Sequence, residues 1–187
     1  DYFPLAVGNQ WVYVQRGFAP GGQITVQVTN AGQFNGVTYF ELSGLSAEPV
    51  WVRRTSAGEI VQWDRAGDRL WYAFGSPAGA SWRPQLPVPC TEQADLMTRG
   101  ADVEVPAGRF PSALVIRYGN GSCADAGLLE EAFAPGVGLL RRAEQTIGGP
   151  RYHELAYARI GGVLVAGSEL SFSLAIDRPL YYADFMP

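Results

Sequence analysis

Gln23-Ile24-Thr25-Val26-Gln27-Val28-Thr29 and Val37-Thr38-Tyr39-Phe40-Glu41-Leu42, joined through Gln33-Phe34-Asn35-Gly36, decide the fold class of this chain. Ile24, Val26 and Val28 alternate with Thr25, Gln27 and Thr29. That period of two belongs to a strand with one buried face, not to a helix. Asn35-Gly36 readily supplies two positive φ angles, as a type I′ hairpin turn requires. The stretch therefore predicts two antiparallel strands in direct succession.

Working outward, the same style recurs on both sides. Trp11-Val12-Tyr13-Val14 is aromatic and β-branched, and further strands are expected over 50–55, 59–64, 70–74, 102–105, 113–118, 128–133, 139–144 and 152–160. A last one carries Leu170, Phe172, Leu174 and Ile176 on one face. Ser56-Ala57-Gly58 and Arg65-Ala66-Gly67-Asp68 read as hairpin loops. Strands joined by short turns give a mainly β protein: an antiparallel meander forming a curved sheet, half-barrel or barrel, with more than about 40% strand and less than about 12% helix. Thr91–Arg99 is the best helix candidate, with Thr91 as N-cap and Glu92 in its first turn. Gly75 to Pro89 holds Pro77, Pro84, Pro87 and Pro89, which cannot donate to a ladder. It reads as a surface-crossing loop that carries Trp82 inward and ends at Cys90.

The 187 residues are 47% hydrophobic and only 17% charged, a composition that folds and can bury a core without metal. All 14 basic residues are arginine, and the net charge is −4. An acidic chain with scattered arginines is a poor nucleic-acid binder, so none is expected as partner. No apolar run approaches the roughly 18 residues of a membrane span. Asp1-Tyr2-Phe3-Pro4 carries no signal-peptide pattern, so the start reads as a processed terminus, on which a removed lipid anchor is compatible. Cys90 and Cys123 both lie in turn-like sequence and are expected to pair. A disulfide points to an oxidising, extracytoplasmic compartment: periplasm, envelope or outside the cell. Asn120-Gly121-Ser122 matches a glycosylation acceptor but reads as an ordinary turn.

Catalytic chemistry is hard to assemble from these residues. His153, the single histidine, sits mid-strand with no Gly-x-Ser-x-Gly elbow anywhere. One histidine and two turn cysteines do not make a metal site, and Gly136-Val137-Gly138 is too little for a dinucleotide fingerprint. Glu130 and Glu131 are adjacent on a strand, so they point to opposite faces and cannot act as a glycosidase pair. Asp64, Asp68, Asp102 and Glu104 fall at strand ends or on solvent faces. The sequence thus reads as non-enzymatic, with no cofactor and no metal.

Four of the five tryptophans, Trp51, Trp63, Trp71 and Trp82, fall in one stretch. If Ser56-Ala57-Gly58 is a three-residue loop, Trp51 faces Trp63. If Ala66-Gly67-Asp68 closes the next hairpin, Trp63 faces Trp71. A row of three tryptophans then crosses the sheet, as core packing or as an apolar or sugar-stacking groove. A slip of one residue breaks the row. These four are the candidate ligand-facing aromatics.

Tyr2-Phe3-Pro4-Leu5-Ala6-Val7-Gly8-Asn9-Gln10-Trp11-Val12-Tyr13 resembles the opening of uncharacterised secreted or lipoprotein-type β domains of bacteria. Val103-Glu104-Val105-Pro106-Ala107-Gly108-Arg109-Phe110 and Ala134-Pro135-Gly136-Val137-Gly138-Leu139 are similar to their later motifs. The resemblance spans most of residues 1–160. It implies an exported β domain, with the open curved sheet of lipoprotein-carrier-like half-barrels as one architecture, and it implies no activity. Residues 168–182 resemble the first strand of an immunoglobulin-like domain of the intracellular-proteinase-inhibitor type. Two units follow as an expectation: a main β domain over 1–160, then a linker and strand over 161–187, either appended to the main sheet or opening a truncated second sandwich, with the native chain continuing beyond Pro187.

Three function classes fit the sequence. One is a non-catalytic exported module that binds a partner protein or acts as a scaffold. Another is a carrier of an apolar ligand in a curved-sheet groove. The third is a carbohydrate hydrolase with two carboxylates. The sequence names neither the ligand nor the oligomeric state.

Overall fold

The computed structural model describes residues 1–119, 121 and 123–167. Over these the chain is all-β, with 62% strand and no helix. The strands are β1 (Gln10–Gly17), β2 (Gln23–Phe34), β3 (Val37–Ser43), β4 (Val50–Arg54), β5 (Ile60–Asp64), β6 (Gly67–Tyr72), β7 (Ser81–Trp82), β8 (Gln93–Val105), β9 (Gly108–Gly119), β10 (Gly127–Ala134), β11 (Gly138–Thr146), β12 (Gly149–Ile160) and β13 (Val163–Ala166). They form one antiparallel sheet in the order β6-β5-β4-β3-β2-β1-β12-β11-β10-β9-β8-β7, with β13 paired to β12. It is a pair of meanders joined where β1 meets β12, curved but not closed into a barrel.

The predicted hairpins form as their turn residues dictate. Asn35 (φ 53°) and Gly36 (φ 77°) turn β2 into β3, with Phe34 opposite Val37. The Thr55 N–H donates to the Glu59 carbonyl at 2.9 Å, so Ser56-Ala57-Gly58 is a three-residue loop. Thr91–Arg99 is not a helix. From Gln93 onward it is β8, and the Thr91 hydroxyl accepts the Leu128 N–H at 3.2 Å. Pairing with β9 over most of the length of β8 overrides the cap signal, as tertiary context commonly overrides local propensity. The stretch from Gly75 to Pro89 crosses the surface but contributes the short strand β7, paired to β8 through Ser81 opposite Asp95 and Trp82 opposite Ala94.

The three stretches that carry the family resemblance prove to be packing devices. The Trp11 indole N–H donates to the Val137 carbonyl at 2.6 Å and the Tyr13 hydroxyl to the Leu139 carbonyl at 2.9 Å. The opening motif therefore seats directly on the Ala134–Leu139 turn. Gly138 sits beneath that contact at φ 107°, and a Cβ there would lie 3.0 Å from Trp11 Nε1. Buried Asn9 closes the amino-terminal segment, donating to the Pro4 carbonyl and accepting from the Gly161 N–H, both at 2.9 Å. The third motif is the tip of the long β8–β9 hairpin. Register shifts along β8 bend it, and the Ala107 N–H donates to the Leu155 carbonyl at 2.8 Å.

The core fills the inner face of the curved sheet. Phe3, Trp11, Tyr13, Tyr72 and Phe133 are all buried there, with Phe3 centred among Trp11, Tyr72 and Phe133 at 6.0–6.4 Å between ring centroids. Gly161-Gly162 is the tight turn between β12 and β13, with Ile160 opposite Val163. The expected strand through Leu170–Ile176 and the immunoglobulin-like resemblance lie outside the described residues, as does the Asn120–Ser122 acceptor pair.

Candidate functional site

The expected row of Trp51, Trp63 and Trp71 does not form. Val52 faces Gln62, which places Trp51 and Trp63 on the same outer face of β4 and β5. The next hairpin turns on Arg65-Ala66 alone, so Trp63 faces Asp68 and not Trp71. A bulge opposite Ile60 and Val61 then puts Trp71 out of step. Trp71 is 1% exposed, with its indole N–H on Gln62 Oε1 at 3.1 Å. One residue fewer in a turn reverses which face a side chain occupies, and that is what happens here.

Phe34 takes the place of Trp71 between the other two rings. It stacks on Trp63 at 4.4 Å and meets Trp51 edge-on at 5.1 Å and Tyr39 at 5.6 Å. Gly32 lets Trp51 lie flat on β2, since a Cβ there would come within 3.1 Å of the indole. Arg53 lies over the Tyr39 ring at 5.5 Å and pairs with Asp68, which also accepts the Tyr39 hydroxyl at 2.7 Å. These rings use their faces on one another, forming a small second core on the outer face.

The outer face of the other half is charged. Arg117 and Arg141 flank Glu130 at 3.6 and 2.8 Å, and Arg16 meets Glu154 at 3.3 Å. Adjacent Glu131 points the other way and is 0% exposed. It accepts Arg142 Nε at 2.7 Å, the Tyr118 hydroxyl at 2.6 Å and the Tyr72 hydroxyl at 3.3 Å. Burial holds the Tyr72 and Tyr118 phenols well above their ordinary range, and the Glu131 charge adds to it. His153 is also buried, opposite Arg142 across β11–β12, with Nε2 3.8 Å from Glu144. Burial alone would raise the Glu144 carboxyl; His153, Arg142 and Arg151 outweigh it and hold the group below its usual value. Sequence reasoning missed this inward ionic group. Its one legible signal was a charged residue at a core-facing position of an apolar strand. Every Glu131 oxygen is already bonded, which suits a structural part and not a general acid. Among the described residues, no three or more His, Cys, Asp or Glu side chains gather as metal ligands would.

Trp82 lies apart from the others, at the β7 edge of the sheet. Its indole N–H donates to the Trp71 carbonyl at 3.1 Å, and the Gln85 N–H donates to the Leu70 carbonyl at 2.7 Å. The loop is thereby tied to β6, the opposite end strand. Ser81, Trp82, Arg83, Glu92, Gln93 and Gly119 line an open groove of about 460 Å³ at this edge. Cys90 and Cys123 are bonded to each other beside it.

No family model matches the sequence, and no curated protein matches it. Among solved structures, the fold is similar to that of a Bacteroides fragilis protein named as exported and of YmcC-like fold. The TM-score is 0.51 at 12% identity, covering 82% of this chain and 96% of that one. A Parabacteroides distasonis protein named as a lipoprotein aligns over 87% of this chain and 97% of its own, at 11% identity and TM-score 0.46. At such identity the likeness to the first is one of fold alone.

Proposed function

We propose that the chain is an extracytoplasmic, non-catalytic β module that works through its outer surface and edges, and not by enclosing an apolar ligand. The observation that carries this reading is the filled inner face. Trp11, Tyr13, Tyr72 and Phe133 are fully buried where a carrier would keep a cavity, and the buried Glu131–Arg142 pair lies among them. Ligand pockets of carriers are concave, largely apolar and pre-formed; the hollows of about 460 and 450 Å³ lie at the β7 edge and on the charged outer face, and a smaller one of about 250 Å³ against Phe3 and Phe40 is lined also by Asp1, Arg53 and Arg54. The disulfide and the export named for the B. fragilis fold neighbour support placement outside the cytoplasm. The division at Gly161 is likewise our proposal. β13 leaves Val163 and Leu164 exposed, as an appended element would.

Native mass spectrometry of the protein purified without detergent tests the reading. The expected spectrum shows the mass of the chain with nothing retained. A lipid or other apolar molecule held one per chain would overturn it in favour of the carrier.

A further inference from the structure

The groove at the β7 edge is open, has mixed lining, and is built from elements held in place independently of any ligand. Trp82 supplies an apolar wall, and its ring is fixed beforehand by the bond from its indole N–H to the Trp71 carbonyl at 3.1 Å. The floor is low because Gly119 lies opposite Gln93 and contributes no side chain. The rim is tied twice, by the Cys90–Cys123 bond and by the Glu92 N–H donating to the Gly119 carbonyl at 3.0 Å. Groups fixed before binding lose little freedom on binding.

The polar members narrow the ligand class. Arg83, Glu92 and Gln93 are planar groups with paired donors or acceptors. Gln93 Nε2 donates to Asp95 Oδ1 at 2.9 Å, which leaves its Oε1 to accept from a ligand. Asp95, which accepts from Ser81 and Gln93, adds a second carboxylate beside Glu92, so Arg83 leaves the groove with no excess of positive charge, which disfavours phosphates and polyanions. A neutral sugar matches both halves of the lining. The C–H face of a pyranose ring is apolar and flat enough to lie on an indole, while its adjacent hydroxyls pair with planar amide, carboxylate and guanidinium groups. At about 460 Å³ the groove is within the size range of small-molecule sites and holds one or two sugar rings.

We propose that the β7-edge groove is a binding site for a neutral carbohydrate, with Trp82 as stacking wall and Arg83, Glu92 and Gln93 as hydroxyl partners. It rests on the reading of the chain as a surface-binding module. The test is titration of the ¹⁵N-labelled protein with cellohexaose, maltohexaose and N-acetylchitohexaose. At least one should shift the Trp82 indole and Gln93 amide signals, with a Kd of about 0.1–10 mM. Arg83→Ala and Gln93→Ala, both on the groove surface, should each weaken that Kd by about fivefold or more without lowering Tm. The assignment falls if none of the three shifts these signals at about 20 mM, or if both variants bind as the parent does. It also falls if an extended peptide, and no sugar, occupies the groove. A negative titration on protein that carries no retained ligand removes the groove assignment alone. A retained apolar molecule removes the reading beneath it.

Discussion

Replacing Arg142 by methionine isolates the buried ion pair. The carboxylate of Glu131 has no exposed surface, and Arg142 Nε and its terminal nitrogen both lie within 2.7 Å of Oε1. Arg142→Met keeps the stem of the side chain and removes the charge. Glu131 is then left with the Tyr118 and Tyr72 hydroxyls alone. Breaking a buried pair by removing one partner costs about 3–5 kcal/mol, because the remaining charge is desolvated and uncompensated. The two remaining hydroxyl bonds place this case toward the lower end. For a domain of this size, about 2–4 °C of Tm follow each kcal/mol, so a loss of about 3–4 kcal/mol should lower Tm by about 6–16 °C. Thermal and urea unfolding followed by circular dichroism measure it, with an unchanged m-value showing that the unfolded state is the same. Adding Glu131→Gln removes the orphaned charge and keeps an acceptor for both tyrosines. The double variant should recover about 2 kcal/mol relative to Arg142→Met. A loss below about 1 kcal/mol in the single variant, or a double variant that loses the sum of the two singles, would refute the reasoning.

Three further outcomes follow from the same geometry. Burial raises the phenols of Tyr13, Tyr72 and Tyr118 well above their ordinary value, so the stability they contribute is present below about pH 10 and is lost as pH rises further. Absorbance at the phenolate band should show these three ionising together with unfolding; their titration in the folded state would contradict the burial. Removing the disulfide as Cys90→Ala with Cys123→Ala frees a closed loop of 33 residues, and should cost about 3–4 kcal/mol in urea melts; no change in midpoint would show the loop to be held by its other contacts. Gly138→Ala forces a side chain to φ 107° and toward Trp11 Nε1, which should destabilise by about 1–3 kcal/mol and red-shift tryptophan emission as the indole loosens; wild-type stability would mean that the Trp11–Val137 contact is dispensable.

The functional surface was legible only in part. Trp82 was recognisable as a ring carried by a proline-rich loop, and Cys90 and Cys123 as turn cysteines that pair. The partners of Trp82 in the groove were not, because Glu92 and Gln93 sit in a stretch that reads locally as a helix start. Glu131 and Arg142 stand on consecutive strands, and the register of the β10–β11 hairpin sets them opposite each other. Alternation turns one of two adjacent glutamates toward the core, and the register of β10 decides which.

The sequence by itself determined the class of structure and its punctuation. Period-two alternation in β2 and β3 and the Asn35-Gly36, Ser56-Ala57-Gly58 and Pro106-Ala107 turns are local consequences of side-chain size and allowed φ angles, so they need no distant partner. Faces and neighbours required the tertiary structure. Trp71 entered the core because a two-residue turn, one residue shorter than the spacing suggested, reversed its side of the sheet. The segment 91–99 became strand because β9 offered it a ladder. Register, bulges and the meeting of β1 with β12 depend on which distant strand wins the hydrogen bonds, and a chain read one residue at a time carries no measure of that competition.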